Sequence, residues 1–127
     1  MMQRLFFLSL AGALGTLFRF LLLEFVKSKA GTALPVGTFV VNMTGCFLAG
    51  LFLEYAETRL HLGHDLRVIV MVGFMGAFTT FSSIIVDTAD LIRNAQWLAV
   101  HVNLLAQNFV GLLSLYGGVS AAKALLP

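Results

Sequence analysis

The sequence predicts an all-α membrane protein: four transmembrane helices in one domain spanning residues 1–127. Composition is the first reason. Of 127 residues, 59% are hydrophobic and 11% charged, and the mean hydropathy is +0.94, values of the membrane class. The second is that the apolar residues gather in four long runs, and about 20 such residues suffice to cross a bilayer. The third is that the links between runs are short and rich in charge, Gly or Pro, leaving no length for a soluble domain.

The first run extends from about Leu5 to Val26. Arg4 ahead of it gives the look of a secretory leader, but three further spans follow, so a polytopic protein is the better reading. Gly12, Gly15 and Arg19 are spaced by three and four and share a helix face; the small residues allow another helix to approach. Arg19 is too deep for a loop residue. It either snorkels to the interface or faces protein or water, capping helix ends or raising the potential for an anion.

Lys27 to Pro35 ends that helix and starts the second, from about Val36 to Tyr55. Thr38, Asn42, Gly45 and Ala49 fall on one face. Asn42 carries an amide at mid-span, which serves either to join helices or to donate to an anion. Cys46, the single cysteine, excludes an internal disulfide and reads as a packing residue.

A charged turn, 56–67, leads to the third run, Val68 to Ile92. His61 and His64 within the turn lack a third ligand for a metal. The third run carries the unusual stretch Gly73-Phe74-Met75-Gly76-Ala77-Phe78-Thr79-Thr80-Phe81-Ser82-Ser83. Glycines and hydroxyls at this depth predict a helix broken near its middle, tolerable only beside protein or a hydrated path. Beyond it, Asp87 is deep enough to call for a hydrogen-bond donor, and Asp90 pairs with Arg93 at the boundary. Phe81 sits among hydroxyls, where a phenyl ring either packs or turns its electropositive edge to an anion. After the tight turn at Arg93-Asn94, the fourth run spans about Ala95 to Leu126. It carries His101, Asn103, Gln107, Asn108 and Ser114, and a stripe of small residues, Gly111, Ser114, Gly118 and Ala122.

Charge excludes other classes. Net charge is only +2, with the 8 basic residues dispersed, so nucleic acid is not a partner. No catalytic constellation is present, and an enzyme is not expected. Loop charges split almost evenly: Arg4, Arg59, Arg67 and Lys123 on one side, Lys27, Lys29 and Arg93 on the other. So even a split leaves two readings: a weakly biased single orientation, or insertion both ways with antiparallel pairing. Hydroxyl and amide donors, ring edges and one deep arginine suit a small anion better than a cation. Four helices enclose little space, so self-association is expected, supported by the Gly and Ala faces.

Three motifs in order, Gly12-Ala13-Leu14-Gly15 through Arg19, Gly37-Thr38-Phe39-Val40-Val41-Asn42-Met43-Thr44-Gly45 on to Gly50, and Gly73 through Ser82, resemble the Fluc (CrcB) family of fluoride channels over nearly the whole chain. The resemblance implies an antiparallel, dual-topology homodimer in the bacterial plasma membrane, with two pores exporting fluoride by passive electrodiffusion. It implies a structural sodium ion at the dimer centre, held by the backbone carbonyls of Gly76 and Thr79. It carries pore positions onto Asn42, Phe81, Ser82, Ser83, Ile84 and Asn108, and an electrostatic position onto Asp87. Three departures stand out. Ile84 replaces the second pore phenylalanine, Gly76-Ala77 replaces a glycine pair, and Leu104 and Leu112 thin the polar track on the fourth span to Asn108. The competing class is a proton-coupled exporter of the small dual-topology type, which needs an embedded carboxylate in the first span; there Glu24 lies only near the end, and Asp87 of the third span is the remaining candidate. A third is a membrane subunit with no transport of its own.

Overall fold

The computed structural model describes residues 1–30, 35–57 and 63–125. Arg59 and His61 of the second turn, and Leu126 at the expected end of the fourth run, fall outside them. Helix α1 covers Met2–Ala30 and α2 covers Val36–Tyr55. The third span, His64–Arg93, has four parts: α3 (His64–Val68), a π-helical stretch (Ile69–Met75), α4 (Gly76–Phe78) and α5 (Phe81–Arg93). Helix α6 covers Trp97–Leu125. All four spans are long and apolar enough to cross a membrane.

The second span begins and ends where its apolar run does. The others differ at their ends. Helix α1 runs on past Val26 to Ala30, because Lys27 and Lys29 favour the carbonyl end of a helix and their long stems keep the charges in water. The third span starts at His64, ahead of Val68: Asp65 lies in the first turn of α3, where the helix dipole favours an acid.

The helices pack through backbone contact rather than large side chains. Helix α2 makes its most extensive contact with α6, and α1 with the π-helical stretch. At the α2–α6 crossing the contact is reciprocal. A Cβ on Gly50 would collide with the carbonyl of Leu115, and one on Gly118 with the carbonyl of Phe47. On α1, a Cβ on Gly15 would collide with the carbonyl of Phe74. These small-residue faces, expected to serve self-association, are therefore spent inside the chain. Thr38, Asn42, Gly45 and Ala49 are likewise all buried.

Charged pairs sit at the ends of the bundle. Arg4–Asp65 (3.3 Å), Arg67–Glu57 (3.7 Å) and Lys123–Glu54 (3.9 Å) lie at one end, Lys27–Glu24 (3.6 Å) and Arg93–Asp90 (3.6 Å) at the other. Helix α5 ends in a Schellman motif: the amide of Ala95 donates to the carbonyl of Ile92 and that of Gln96 to the carbonyl of Leu91, both at 2.9 Å. The turn places Ala95 at φ 54°, where glycine is the usual occupant.

Candidate functional site

The third span leaves helical geometry at two residues. Thr79 (φ −86°, ψ 158°) and Thr80 (φ −152°, ψ 117°) are extended. Of the glycines and hydroxyl residues expected to interrupt the helix, Thr79 and Thr80 do so, while Gly73 and Gly76 are both helical. The lack of a side chain at Gly73 admits α1: a Cβ there would stand 3.0 Å from Ala11 Cβ and 3.1 Å from the Leu8 carbonyl. The extended positions instead fall on β-branched residues, which suit that backbone.

Each broken end is closed by its own threonine. The amide and the hydroxyl of Thr79 both donate to the Met75 carbonyl, at 2.9 and 2.8 Å. Thr80 is the N-cap of α5: its hydroxyl oxygen accepts from the Ser83 amide at 3.2 Å. The Ser82 and Ser83 hydroxyls lie 3.0 and 3.2 Å from the same oxygen.

The interruption frees backbone carbonyls over residues 76–79, among them two whose lost amide partners can be traced. In an unbroken helix the Gly76 carbonyl would take the Thr80 amide, and the Thr79 carbonyl the Ser83 amide. Here the Thr80 amide goes to Asn42 and the Ser83 amide to the Thr80 hydroxyl. Gly76 is also exposed. The carbonyl end of α4 therefore carries partial negative charge suited to a hard cation, and the amide end of α5 partial positive charge suited to an anion. Two hard oxygens on an exposed backbone fit sodium by donor type.

Asn42 spans the gap. Its Oδ1 accepts from the Thr80 amide at 2.9 Å, and its Nδ2 donates to the Thr80 carbonyl and to Gln107 Oε1, both at 3.2 Å. Of the two roles open to Asn42, joining helices and donating to an anion, the first is seen here: both amide hydrogens are taken, and the side chain joins α2, α6 and the break. Gln107 is buried, and its Nε2 has no partner among the described residues. A buried donor left so costs on the order of 1–3 kcal/mol. One turn earlier on α6, Asn103 Nδ2 donates to the Thr88 hydroxyl at 3.0 Å, and that hydroxyl donates to the Ile84 carbonyl at 2.7 Å.

The other expected residues differ in exposure. Phe81, Ser82 and Asn108 are exposed, Phe81 at 70%. The Asn108 amide donates back to the Leu104 carbonyl at 2.7 Å. Ile84 is instead buried inside the chain, one turn from Thr88. Asp87 is half-buried, with Oδ2 unpartnered among the described residues. Arg19 and Thr16 of α1, Thr38 of α2, and Thr80 and Ser83 at the break line a cavity of about 280 Å³, together with Phe20, Leu23 and Val41. Among the described residues no carboxylate pairs with Arg19. A guanidinium with no carboxylate partner among the described residues, beside four hydroxyl-bearing residues, gives this cavity the electrostatics of an anion vestibule.

Sequence reasoning did not single out Gln107 or Thr38 as parts of the site. The four-residue spacing of Asn103 and Gln107 was the available signal, since two amides on one face of a membrane helix need partners.

Comparison with known proteins adds a separate line. Residues 6–119 match the family described as "CrcB-like protein, Camphor Resistance (CrcB)". A protein of Desulforapulum autotrophicum called "Fluoride-specific ion channel FluC" is 46% identical over 119 residues, covering 94% of this chain and 95% of that one. Proteins bearing the same name from Nitrosococcus oceani (42% identical, covering 97% of this chain and 98% of that one) and Maridesulfovibrio salexigens (34% identical, covering 98% and 99%) match along almost the whole length.

Proposed function

This chain belongs to the CrcB-like family, and from that premise we propose that it is a fluoride-specific ion channel, a multi-pass membrane protein that lets fluoride leave the cytoplasm passively. It is not an enzyme.

The interruption at Thr79–Thr80 carries the reading. It gives the third span the character of a broken helix, with an anion-favouring amide end beside an arginine that has no carboxylate partner among the described residues. The anion would gather at Arg19, Thr38, Thr80 and Ser83 and pass along Phe81, Ser82 and Asn108. Asn42 and Ile84 act from inside the chain, Asn42 by holding the break and Ile84 by packing. Hydroxyl O–H donors and ring edges replace water without a fixed cation in the narrow part, so the ion is not trapped.

A second copy completes the path. Ser82, Asn108 and the backbone of Gly76 lie open on a face that would otherwise meet lipid, where exposed polar atoms are costly. The partner is an antiparallel copy of this chain: loop charge is nearly even on the two sides, so neither orientation is preferred. The carbonyls of Gly76 and Thr79 from both copies would hold a structural sodium ion at the centre, which supplies positive charge between the facing carbonyl ends. If sodium is held there, exchanging it for a large organic cation lowers the melting temperature of the purified protein; an unchanged melting temperature would remove sodium from the proposal.

The proton-coupled exporter has little support. Glu24, the carboxylate of α1, is at its exposed end and pairs with Lys27 at 3.6 Å. The deciding experiment is fluoride efflux from liposomes holding the purified protein, read by a fluoride electrode, with chloride as control. Rapid fluoride release without chloride release and without a proton gradient is expected. Flux that collapses when the proton gradient is removed would favour the exporter, and no flux would favour a subunit without transport.

A further inference from the structure

We propose that Gln107 is a positioning residue of this channel: acting through Asn42, it fixes the backbone of Thr80 and so the amide end of α5 that meets the anion. The inference rests on the channel reading above.

The orientation of both amides follows from one backbone group. The Thr80 amide can only donate, so Asn42 must turn Oδ1 toward it, as the 2.9 Å contact requires. Nδ2 then faces the Thr80 carbonyl at 3.2 Å and has one hydrogen left. Gln107 takes it with Oε1, also at 3.2 Å. Reversing Asn42 would set donor against donor at Thr80, and reversing Gln107 would do so at Asn42. Gln107 and Asn42 are 7% and 6% exposed, so water does not substitute for either. Only the acceptor end of Gln107 is used; Nε2 finds no partner among the described residues. A glutamate side chain at 107 would keep an acceptor for Asn42 in either protonation state, whereas leucine would not. Asn103, one turn away, ties α6 to Thr88 by a bond of the same kind that does not reach Asn42. It serves as the control for ordinary loss of packing.

The test measures fluoride efflux, fluoride-to-chloride ratio and melting temperature of reconstituted or purified protein. Gln107→Leu is expected to lower fluoride efflux about tenfold, the scale of one hydrogen bond, and to reduce the ratio. Gln107→Glu is expected to restore most of the flux. Asn103→Leu is expected to lower the melting temperature while flux persists. The proposal is overturned if Gln107→Leu conducts like the wild type, if Gln107→Glu is as impaired as Gln107→Leu, or if Asn103→Leu loses as much flux. A double-mutant cycle of Asn42→Ala with Gln107→Leu on melting temperature is expected to be non-additive; additivity would break the link. Absent wild-type flux defeats the channel reading by itself, while the cycle still decides whether Gln107 acts through Asn42.

Discussion

Two adjacent glycines on α6 should respond to the same substitution with opposite signs. At Gly118 an added Cβ would stand 2.8 Å from the amide nitrogen of Leu51 and 2.9 Å from the carbonyl carbon of Phe47, and nearer still to that carbonyl oxygen. Comfortable separation for such atoms is about 3.5–4.0 Å, so α2 and α6 would have to part by roughly 1 Å. No rotamer change can relieve it, because every blocking atom is backbone. That puts Gly118→Ala at the upper end of the overpacking range, about 3 kcal/mol, or roughly 150-fold in the folded-to-unfolded ratio. At Gly117 the nearest atom is Phe47 Cδ2 at 3.9 Å, an ordinary contact. Alanine there gains helix propensity, about 0.5–1 kcal/mol. Melting temperatures of the two purified variants make the comparison: Gly118→Ala should fall well below the wild type and Gly117→Ala should match or exceed it. Equal shifts of the same sign would refute the view that backbone contact, rather than apolar burial in general, holds α2 against α6.

Three further substitutions probe separate parts of the argument. Phe81→Ile removes the exposed ring and should cut fluoride efflux about tenfold or more, within the range of a lost aromatic contact; unchanged flux would remove Phe81 from the path. Thr80→Val keeps a β-branched residue for the extended backbone but loses the cap on the Ser83 amide, and should cost about 1 kcal/mol of stability, read as a lower melting temperature with flux also reduced. Wild-type stability in that variant would show that the cap is dispensable. Ala95→Gly relieves the left-handed backbone at φ 54° and should stabilise the protein by about 1 kcal/mol with flux unchanged; a lower melting temperature would contradict the strain assigned to that turn.

Apolar run length made the four spans legible, and α2 coincides with its run from Val36 to Tyr55. Less legible was where the third span leaves helical geometry. Glycine has two uses in a membrane helix, a bend or a close approach, and sequence alone does not separate them. Gly73 serves approach to α1, and the extended backbone falls on Thr79 and Thr80. The same ambiguity affected the small-residue stripe. Gly111, Ser114, Gly118 and Ala122 mark a face that a helix will meet but carry no sign of whether that helix lies in the same chain. Gln107 was hidden for another reason. Its partner Asn42 is 65 positions away, and only the fold brings together two amides that each look like isolated polar residues in an apolar run.

With the glycine faces occupied inside the chain, close backbone packing on those faces cannot also join two copies. What is left on the open face at the break is an exposed phenylalanine ring, Ser82, Asn108 and bare backbone at Gly76. Lipid is a poor solvent for all but the ring, so covering that face gains free energy mainly by giving polar atoms partners. Those partners are supplied at the same depth as the extended threonines, where amide and carbonyl ends diverge. Under the proposed pairing, the chemistry that draws in a second copy is also the chemistry that makes a path for an ion. A substitution that satisfies the open face with apolar atoms, such as Asn108→Leu, should leave the helices of each chain in place, since the Asn108 amide reaches only the Leu104 carbonyl of its own helix.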